Sequence, residues 1–487
     1  MTIRGKAKLY RWIGVLTLVL FAAFNSLEEI GMSGNEASRF ATVQAVAEQH
    51  TFAIERTNFR TVDKLFFDGH LYSDKPPLLS WSVGMLLRPV LSLTGWNFAD
   101  NYHLLVYLVD LFAGGGVNVL IFWWLFNQFR RVRGGPVEAK FLLALGSVLG
   151  SWLLSYSVVL NNHTPAALCV LGIFVALWKY TRRPSFAAAA LAALGCGALG
   201  ALEIPGGVLF SLALVPALMI AAPPERRQEH VLAALCVVLG SALGVFVLNY
   251  VAYRRVLPLY IVNGGSFSPA LGGKSPWGYA LECLFTCRGV FSYQPFLLLA
   301  LPGVWLLRKK LRSAEWIMLA ASALLTAFYL VVTNEYGGAA YGFRYLVPVI
   351  PLWSFYAGRW VLAAKRRRAA GVLASALLLW GVATAAAGAY FPFCVAFEGV
   401  HSPRGHFTRS VRSTFGGNLL CWSFEHMPES ALTRKLVGHY GAEAAYLHLY
   451  HSFFSMKRPD MLARLTGIRA ASVEKPSSEQ YFIRSDK

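Results

Sequence analysis

The chain has 487 residues, of which 56% are hydrophobic and only 14% are charged, and its mean hydropathy is +0.48. Because an ordinary globular domain is about one-quarter charged, this composition excludes a typical soluble protein and indicates a protein of the lipid bilayer. Much of the formal net charge of +20 lies in short loops between apolar stretches and in the C-terminal tail. Membrane topology explains such a charge, so no nucleic-acid partner is expected.

Clusters of Lys and Arg occupy every second gap between the apolar stretches. The clusters lie at residues 130–133, 179–183, 226–227, 308–312 and 365–368, and the exception to the alternation is Arg254-Arg255. Basic loops stay on the cytoplasmic side of a membrane, so the alternation predicts which of the remaining loops face outward. The segments that contain acidic residues and histidine fall in the outward set, where we expect the functional site.

The N-terminal segment predicts a first membrane span that is retained. Basic residues are frequent in residues 1–11, and an apolar run follows from Trp12 to about Leu27. No small-residue cleavage site follows this run. That pattern argues against a signal peptide and for a span that enters from the cytoplasm.

The next segment, residues 28–103, is predicted to form a long outward loop. Ala37–Gln49 has the apolar spacing of a helix, and Asn58–Asp74 is polar and aromatic. Leu78–Leu93 is apolar enough to cross the membrane, but counting it as a span would invert the side of every later basic loop. We therefore interpret it as a helix at the outer interface, with Pro76-Pro77 at its start.

Further spans follow this loop, and several are close to the minimum of about 20 residues that a helix needs to cross. They are predicted at about residues 103–128, 138–158, 165–181, 185–202, 205–222, 230–253, 294–307, 314–333, 345–363 and 369–389. The total is about eleven, and an odd number places the C-terminus outside. The sequence therefore predicts an all-α polytopic membrane protein.

Two regions follow from this topology. Residues 1–390 are predicted to form a transmembrane catalytic domain, and residues 391–487 a small extracytoplasmic tail. Within the tail, Ser430–Met456 has a helical pattern, Pro459 is expected to stop that helix, and Glu474–Lys487 has a loop-like composition.

The seven cysteines show no CxxC or Cys/His spacing, so a zinc site is not expected. Cys283 with Cys287, and Cys394 with Cys421, lie in predicted outward segments, and each pair is left open as either a disulfide or two thiols. Outward carboxylates are rarely clustered, which favours a site without a cofactor, although a divalent metal ion stays an alternative.

Five groups of residues in the outward segments favour a binding site. They are Asn35, Glu36 and Arg39; Asp63; Asp74 and Lys75; Asn161, Asn162 and His163; and Arg288, Arg344 and Tyr345. Each group also has a purely structural interpretation, as a surface ion pair, a turn, or an arginine that reaches to the interface. Carboxylates at a lipid boundary nevertheless need a reason, and arginines in Gly-rich segments suit an anion because the backbone N–H groups there approach phosphate oxygens closely.

The order of these motifs resembles that of a known enzyme family. A first span is followed by a segment with Asn35, Glu36 and Arg39, and then by Asp74-Lys75-Pro76-Pro77 with Trp81 beyond it. This order resembles the GT-C membrane glycosyltransferases, in the branch that contains the protein mannosyltransferases and the lipid A aminoarabinose transferase. The resemblance covers about residues 10–200, and its strongest element is Lys-Pro-Pro after an outward acidic loop.

The resemblance implies an inverting transfer of a sugar from a polyprenyl-phosphate donor to an unidentified lipid, glycan or protein acceptor. It places the reaction on the outer face of a bacterial cytoplasmic membrane and implies that Lys75 contacts the donor phosphate. We expect Arg288 and Arg344 to assist Lys75, because cations stabilise the charge that grows on a departing phosphate. The expected substrate contacts are Asn35, Arg39, Asp74, Asn161, Asn162, His163 and Tyr345.

This sequence departs from the family at the acidic positions. The customary Asp-Glu pair of the first loop appears as Asn35-Glu36, and the second acidic position appears as Asn161 or Asn162. An amide cannot accept a proton as a general base, so the catalytic carboxylate is predicted to be Glu36 or, as the alternative, Asp63.

Two other functions stay open from the sequence. A transporter or flippase of lipid-linked saccharides would use a similar cationic site, and Glu203 before Pro205 is the feature that favours it. A polysaccharide polymerase or ligase is the other alternative, with residues 254–293 as its large outward loop. A non-enzymatic scaffold is disfavoured because it leaves the polar residues of 28–77 without a role.

Overall fold

A computed structural model describes residues 3–26, 33–259, 276–286, 288–333, 337, 340–364, 367–392, 414–451 and 459–466. These residues are mostly helical, which confirms the predicted all-α class. Within them, seven helices are long and apolar enough to cross a membrane, so the chain is an integral membrane protein. They are Phe98–Arg130, His163–Tyr180, Ile204–Ala221, Pro224–Tyr253, Ser313–Val332, Arg344–Ala363 and Arg368–Tyr390. Trp277–Tyr293 and Pro295–Leu307, bent by 93° with respect to each other, would together give an eighth span.

The individual α-helices divide these segments more finely. They are Ile3–Ser26, Gly34–Gln44, Pro77–Thr94, Phe98–Asp110, Gly116–Arg130, Val137–Leu149, Trp152–Ser155, His163–Tyr180, Phe186–Leu202, Ile204–Ala221, Arg227–Tyr253, Pro276–Phe285, Val290–Tyr293, Ala300–Leu307, Ser313–Val332, Ile350–Ala363, Arg367–Tyr390, Thr414–His426, Ala431–Tyr440, Ala442–His451 and Pro459–Thr466. Turns of π-helix lie at Ala45–Gln49 and Leu111–Gly115, and 3-10 turns at Pro224–Arg226, Pro295–Leu299 and Arg344–Val349.

The predicted total of about eleven spans is not established by these helices. Phe186–Leu202 is apolar but has only 17 residues, and the predicted span 138–158 is divided between Val137–Leu149 and Trp152–Ser155. The first predicted span corresponds to the helix Ile3–Ser26. The number of crossings, and with it the side of each loop, therefore stays a prediction.

The first long loop has a structure of its own. The predicted helix over 37–49 is confirmed as Gly34–Gln44 continued by a π-helical turn, and Ser33 caps its start by accepting a hydrogen bond from the backbone N–H of Glu36 at 3.1 Å. The polar segment after it contains an antiparallel hairpin of Lys64–Phe67 and His70–Ser73. Asp68 and Gly69 turn this hairpin with φ angles of 49° and 81°, as Asp-Gly turns require.

The predicted interfacial helix is confirmed as a helix, Pro77–Thr94, which starts after Pro76 and ends at Gly95 with φ of 71°. Gly84 brings it close to the first helix of the loop, because a Cβ atom there would lie 2.8 Å from the Cβ of Val46. On another face, Leu86 and Leu93 are 75% and 87% exposed. An apolar face of this kind fits contact with lipid, in line with the predicted interfacial position.

The helices Phe186–Leu202 and Ile204–Ala221 pack through glycines. A Cβ atom on Gly207 would lie 2.1 Å from the Cα of Gly200, so the two backbones touch where the chain reverses. Glu203 is the residue between the two helices, and its extended backbone, with φ of −145° and ψ of 101°, breaks the helical path. This break fixes where the Glu203 carboxylate points.

The C-terminal region differs from the prediction at one point. The helical pattern over 430–456 is interrupted at Gly441, whose φ is 87°, between Ala431–Tyr440 and Ala442–His451. Pro459 begins the helix Pro459–Thr466, and because residues 452–458 lie outside the described residues, its predicted role as the stop of the preceding helix stays a prediction. Proline suits a first helical turn, since the N–H group that it lacks would have no partner there. Residues 474–487 lie outside the described residues.

The same region packs on the transmembrane part. Phe424, Leu449 and other buried residues of its helices form one apolar cluster with Tyr390, at the end of Arg367–Tyr390. Both suggested disulfides include a residue outside the described part of the chain, Cys287 in one and Cys394 in the other.

Candidate active site

Glu36 and Arg39 lie in the first helix of the loop, and both are buried, with 5% and 4% of their surface exposed. The Arg39 guanidinium donates to the side-chain oxygen and, at 3.1 Å, to the backbone oxygen of Asn35. Its other terminal nitrogen donates to Oδ1 of Asn162 at 2.7 Å, which joins the first loop to the loop before His163–Tyr180. The Glu36 carboxylate accepts from the backbone N–H of Leu160 at 3.3 Å. Residues that the sequence placed in separate motifs are thus in direct contact.

Lys75 lies between two aspartates of the first loop. Its Nζ atom is 3.0 Å from Oδ2 of Asp63 and 3.0 Å from Oδ2 of Asp74. The Ser38 hydroxyl holds this arrangement against the helix, because it lies 2.6 Å from both the backbone oxygen of Asp63 and the hydroxyl of Ser73. An ammonium group has three N–H donors, so two face carboxylates and one is left for another oxygen.

Arg344 adds a further positive charge from a distant part of the chain. Its Nε atom is buried and has no hydrogen-bond partner within the described residues. Gly337 lies beside it, and a Cβ atom there would be 3.1 Å from Cγ of Arg344. A buried guanidinium nitrogen without a partner is unfavourable unless a ligand or water satisfies it, so Arg344 is suited to an anionic group.

The ionisation of Arg39 shows which charges surround it. Burial, followed by the positive charge of Arg344, lowers the pKa of Arg39 to about 10, while Asp74, Asp63 and Glu36 raise it. Arg39 is therefore still charged at neutral pH and lies within the electric field of residues from distant parts of the sequence. We call Glu36, Arg39, Asp63, Asp74, Lys75 and Arg344 the charged cluster.

Glu36 behaves differently from the aspartates of the charged cluster. Burial raises the pKa of its carboxyl from 4.5 to about 8, although the N–H group of Leu160 and the charge of Arg39 oppose the change. At pH 7 only about one-tenth of such a carboxyl is ionised. The charged cluster then carries three cations against two carboxylates, which leaves it with a net positive charge.

His163, which follows Asn162 directly, forms a second buried arrangement. Its Nδ1 atom is hydrogen-bonded to Oε1 of Glu203, and the two residues are 5% and 6% exposed. The hydroxyl of Tyr329 donates to the other carboxylate oxygen at 3.4 Å. Tyr345 stacks on Tyr329 with ring centroids 4.7 Å apart, and its ring lies 5.8 Å from the His163 ring. We call His163 and Glu203 the histidine–glutamate pair.

The three remaining predicted site residues differ in whether they contact the charged cluster. The amide of Asn161 is engaged within its own turn, where it donates to the carbonyl oxygens of Tyr156 and Val159 and accepts from the N–H group of Thr164. Asn162 donates to the carbonyl oxygen of Leu202 at 2.9 Å while it accepts from Arg39. Arg288 is buried in the turn before Val290–Tyr293, and none of the contacts above joins it to the charged cluster.

Two residues of this region were not predicted as part of a glycosyltransferase site. From the sequence, Glu203 was considered only as a feature that favours a transporter. Tyr329 lies in an apolar span and belongs to no recognisable motif. The signal for Glu203 was an acidic residue next to Pro205 at the junction of two apolar segments, where a buried carboxylate needs a partner.

The charged cluster is distinct from a large apolar groove of about 770 Å³ near Lys179, Arg182 and Arg183. Lys179 is near the end of the helix His163–Tyr180, whose 18 residues give it a length of about 27 Å. The groove lining extends along this helix from Leu168 to Lys179 and does not include His163 or Glu203.

No protein-family model matches the chain, and a search of curated proteins finds no match either. Among the described residues there is also no group of three or more His, Cys, Asp or Glu side chains that could hold a metal ion.

Proposed function

We propose that the chain is a membrane glycosyltransferase that moves a sugar from a polyprenyl-phosphate donor to an acceptor on the outer face of a bacterial cytoplasmic membrane. The observation that carries the proposal is the approach of Arg39, Lys75 and Arg344, three cations from separate parts of the sequence, in a mostly buried cluster of net positive charge. A cluster of this kind next to apolar helices suits a phosphate that is attached to a lipid chain.

The chemistry requires charge stabilisation at the phosphate. The bond between the anomeric carbon and the phosphate oxygen breaks, and its electron pair stays on the phosphate, while the acceptor forms the new bond to the carbon and loses a proton. Arg39, Arg344 and the third donor of Lys75 would bind the departing phosphate. These contacts are stronger in a site with little water than on an exposed surface. The exposed apolar face of Pro77–Thr94 would guide the prenyl chain.

The reaction is tested first in cells and then with purified protein. We expect a deletion strain to lose one glycan or glycolipid and to accumulate the matching lipid-linked sugar. When that lipid, carrying a radioactive sugar, is given to purified protein in liposomes with the deglycosylated acceptor, the label should move to the acceptor. A transporter would instead relocate the lipid without changing it chemically. A polymerase or ligase would transfer an oligosaccharide rather than one sugar.

The side of the membrane on which the charged cluster lies is tested separately by cysteine labelling. In a variant whose seven cysteines are replaced by alanine, Asp68→Cys places a thiol on the exposed hairpin turn, and Lys309→Cys places one in an exposed basic loop. A membrane-impermeant maleimide added to intact spheroplasts should label Asp68→Cys and leave Lys309→Cys unlabelled until the cells are lysed. Labelling with the opposite pattern would put the charged cluster on the cytoplasmic side and contradict the proposal.

A further inference from the structure

We propose that His163 is the general base that takes the proton from the acceptor, and that Glu203 is the positioning residue that holds it for this step. The inference rests on the proposed glycosyl transfer and assigns the base that the sequence left undecided. It follows from the position of the histidine–glutamate pair directly beside the charged cluster.

The hydrogen bond to Glu203 determines which nitrogen of His163 is basic. With the Glu203 oxygen as the acceptor, the hydrogen of the neutral ring lies on Nδ1 and Nε2 keeps its lone pair. Among the described residues no hydrogen bond is formed by Nε2. This is the arrangement of a base and an orienting acid that activates nucleophiles in many unrelated enzymes.

The Glu203 carboxylate is itself held in place by its surroundings. Its second oxygen accepts from Tyr329, and its backbone lies at the break between two closely packed helices. Asn162 donates to the carbonyl oxygen of Leu202, the residue before Glu203, so the two chain segments are tied together next to the pair. A buried carboxylate with these constraints keeps the histidine ring in one orientation.

His163 also lies where an acceptor must react. Asn162, the residue before it, accepts from Arg39 at 2.7 Å, and the ring of His163 packs at 5.8 Å against Tyr345, the residue after Arg344. A sugar whose phosphate is held by these two arginines would therefore place its anomeric carbon near His163. General base catalysis requires this short reach between the base and the attacking group.

The two carboxylates predicted from the sequence are less suitable for this step. Glu36, whose pKa is raised to about 8 by burial, is mostly protonated at neutral pH and accepts a hydrogen bond from Leu160. Asp63 forms an ion pair with Lys75, so one of its carboxylate oxygens already faces a cation at 3.0 Å. Nε2 of His163 forms no hydrogen bond among the described residues and is left for the acceptor.

Nε2 of His163 takes the proton of the acceptor hydroxyl or amine, the acceptor atom forms a bond to the anomeric carbon, and the bond from that carbon to the phosphate oxygen breaks with its electron pair on the phosphate. The histidine is then a cation beside the Glu203 carboxylate, which stabilises it. Release of the proton to water restores the neutral ring.

The test uses His163→Ala with and without added imidazole, in the full-length purified protein with the donor lipid that accumulates in the deletion strain. We expect turnover to fall about a hundred-fold or more, the usual contribution of a general base. Imidazole should restore part of the rate, whereas pyrazole, a ring of the same size and a far weaker base, should not. The KM for the donor should change little, because the phosphate contacts are intact.

A matched control is His230, which lies on the helix Arg227–Tyr253 and contacts the other end of the His163 helix. His230 is 1% exposed and accepts or donates a hydrogen bond at 2.7 Å with Tyr180, the last residue of His163–Tyr180. His230→Ala removes a buried ring of the same size at the opposite end, and it should lower turnover by no more than a few-fold, with no response to imidazole. The melting temperature of each variant separates lost folding from lost chemistry.

The role of Glu203 is tested by combining substitutions. Glu203→Gln should lower turnover in the wild-type background and should have little further effect in the His163→Ala background, because it acts through the histidine. Turnover of His163→Ala within about threefold of wild type, or full additivity of the two substitutions, would overturn the assignment while glycosyl transfer itself stands. A wild-type protein that transfers no sugar would overturn the proposed function, and the assignment with it.

Discussion

Replacing Lys75 by methionine is expected to slow sugar transfer by two to three orders of magnitude. Methionine keeps the unbranched apolar stem and removes the charge, so the packing of the first loop changes little. The Lys75 side chain is only 17% exposed, and its ammonium group has one donor left after the contacts with Asp63 and Asp74. Loss of one such electrostatic contact to a developing anion costs about 3–4 kcal/mol of barrier.

The substitution has a second effect that acts in the same direction. Without Lys75, the carboxylates of Asp63 and Asp74 no longer have their shared cation, and they would repel a nearby phosphate. Oδ1 of Asp74 is buried and already lacks a hydrogen-bond partner among the described residues. The loss of turnover should therefore be accompanied by weaker donor binding.

Lys64→Met is the control for this experiment, because Lys64 is an exposed residue at the start of the neighbouring hairpin. It should transfer sugar at nearly the wild-type rate. The measurement is the initial rate with the labelled donor at several donor concentrations. A higher KM with unchanged kcat would mean that Lys75 binds the donor equally well in the ground state and in the transition state. Wild-type kinetics in Lys75→Met would remove Lys75 from the donor-phosphate site.

The two helices of the first loop were predictable because their signals are local, whereas its hairpin, Lys64–Phe67 with His70–Ser73, was not predicted. The helix Gly34–Gln44 follows from apolar spacing and a serine cap, and the helix Pro77–Thr94 follows from two prolines before an apolar run. The grouping of Asp74 with Lys75 needed no tertiary information either. The start of the helix Pro459–Thr466 has a local reason as well, because proline suits a first helical turn.

The contacts that assemble the site were not predictable in this way. Arg39 and Asn162 are 123 positions apart, and Glu203 and Tyr329 are 126 positions apart. Periodicity describes neighbours within a few turns of one helix, so it cannot show which helix ends meet. The pairing of His163 with Glu203 depends on the glycine contact between two helices, which a single sequence does not reveal.

The pH dependence of stability should reveal the buried carboxyl of Glu36. Burial raises the pKa of Glu36 from 4.5 to about 8, so the folded protein binds a proton that the unfolded chain releases between these values. Stability linked to this group is therefore present at low pH and is lost as the pH rises through that interval. Between pH 5.5 and pH 7.5 the free energy of unfolding should fall by about 2–3 kcal/mol on this account.

The variant Glu36→Gln isolates this contribution, because a glutamine of similar shape has no proton to release. Asp110 and Tyr102 are titratable neighbours of Glu36 and keep their side chains in the variant, so the difference between the two proteins reports on Glu36 together with its interactions with these two groups. We expect unfolding of the wild type in detergent to show a steeper loss of stability with pH than unfolding of Glu36→Gln. Glu225→Gln, at an exposed position, should retain the wild-type slope. If the free energy of unfolding of Glu36→Gln and of the wild type changed equally with pH, Glu36 would be ionised in the folded protein. It would then be available as a base.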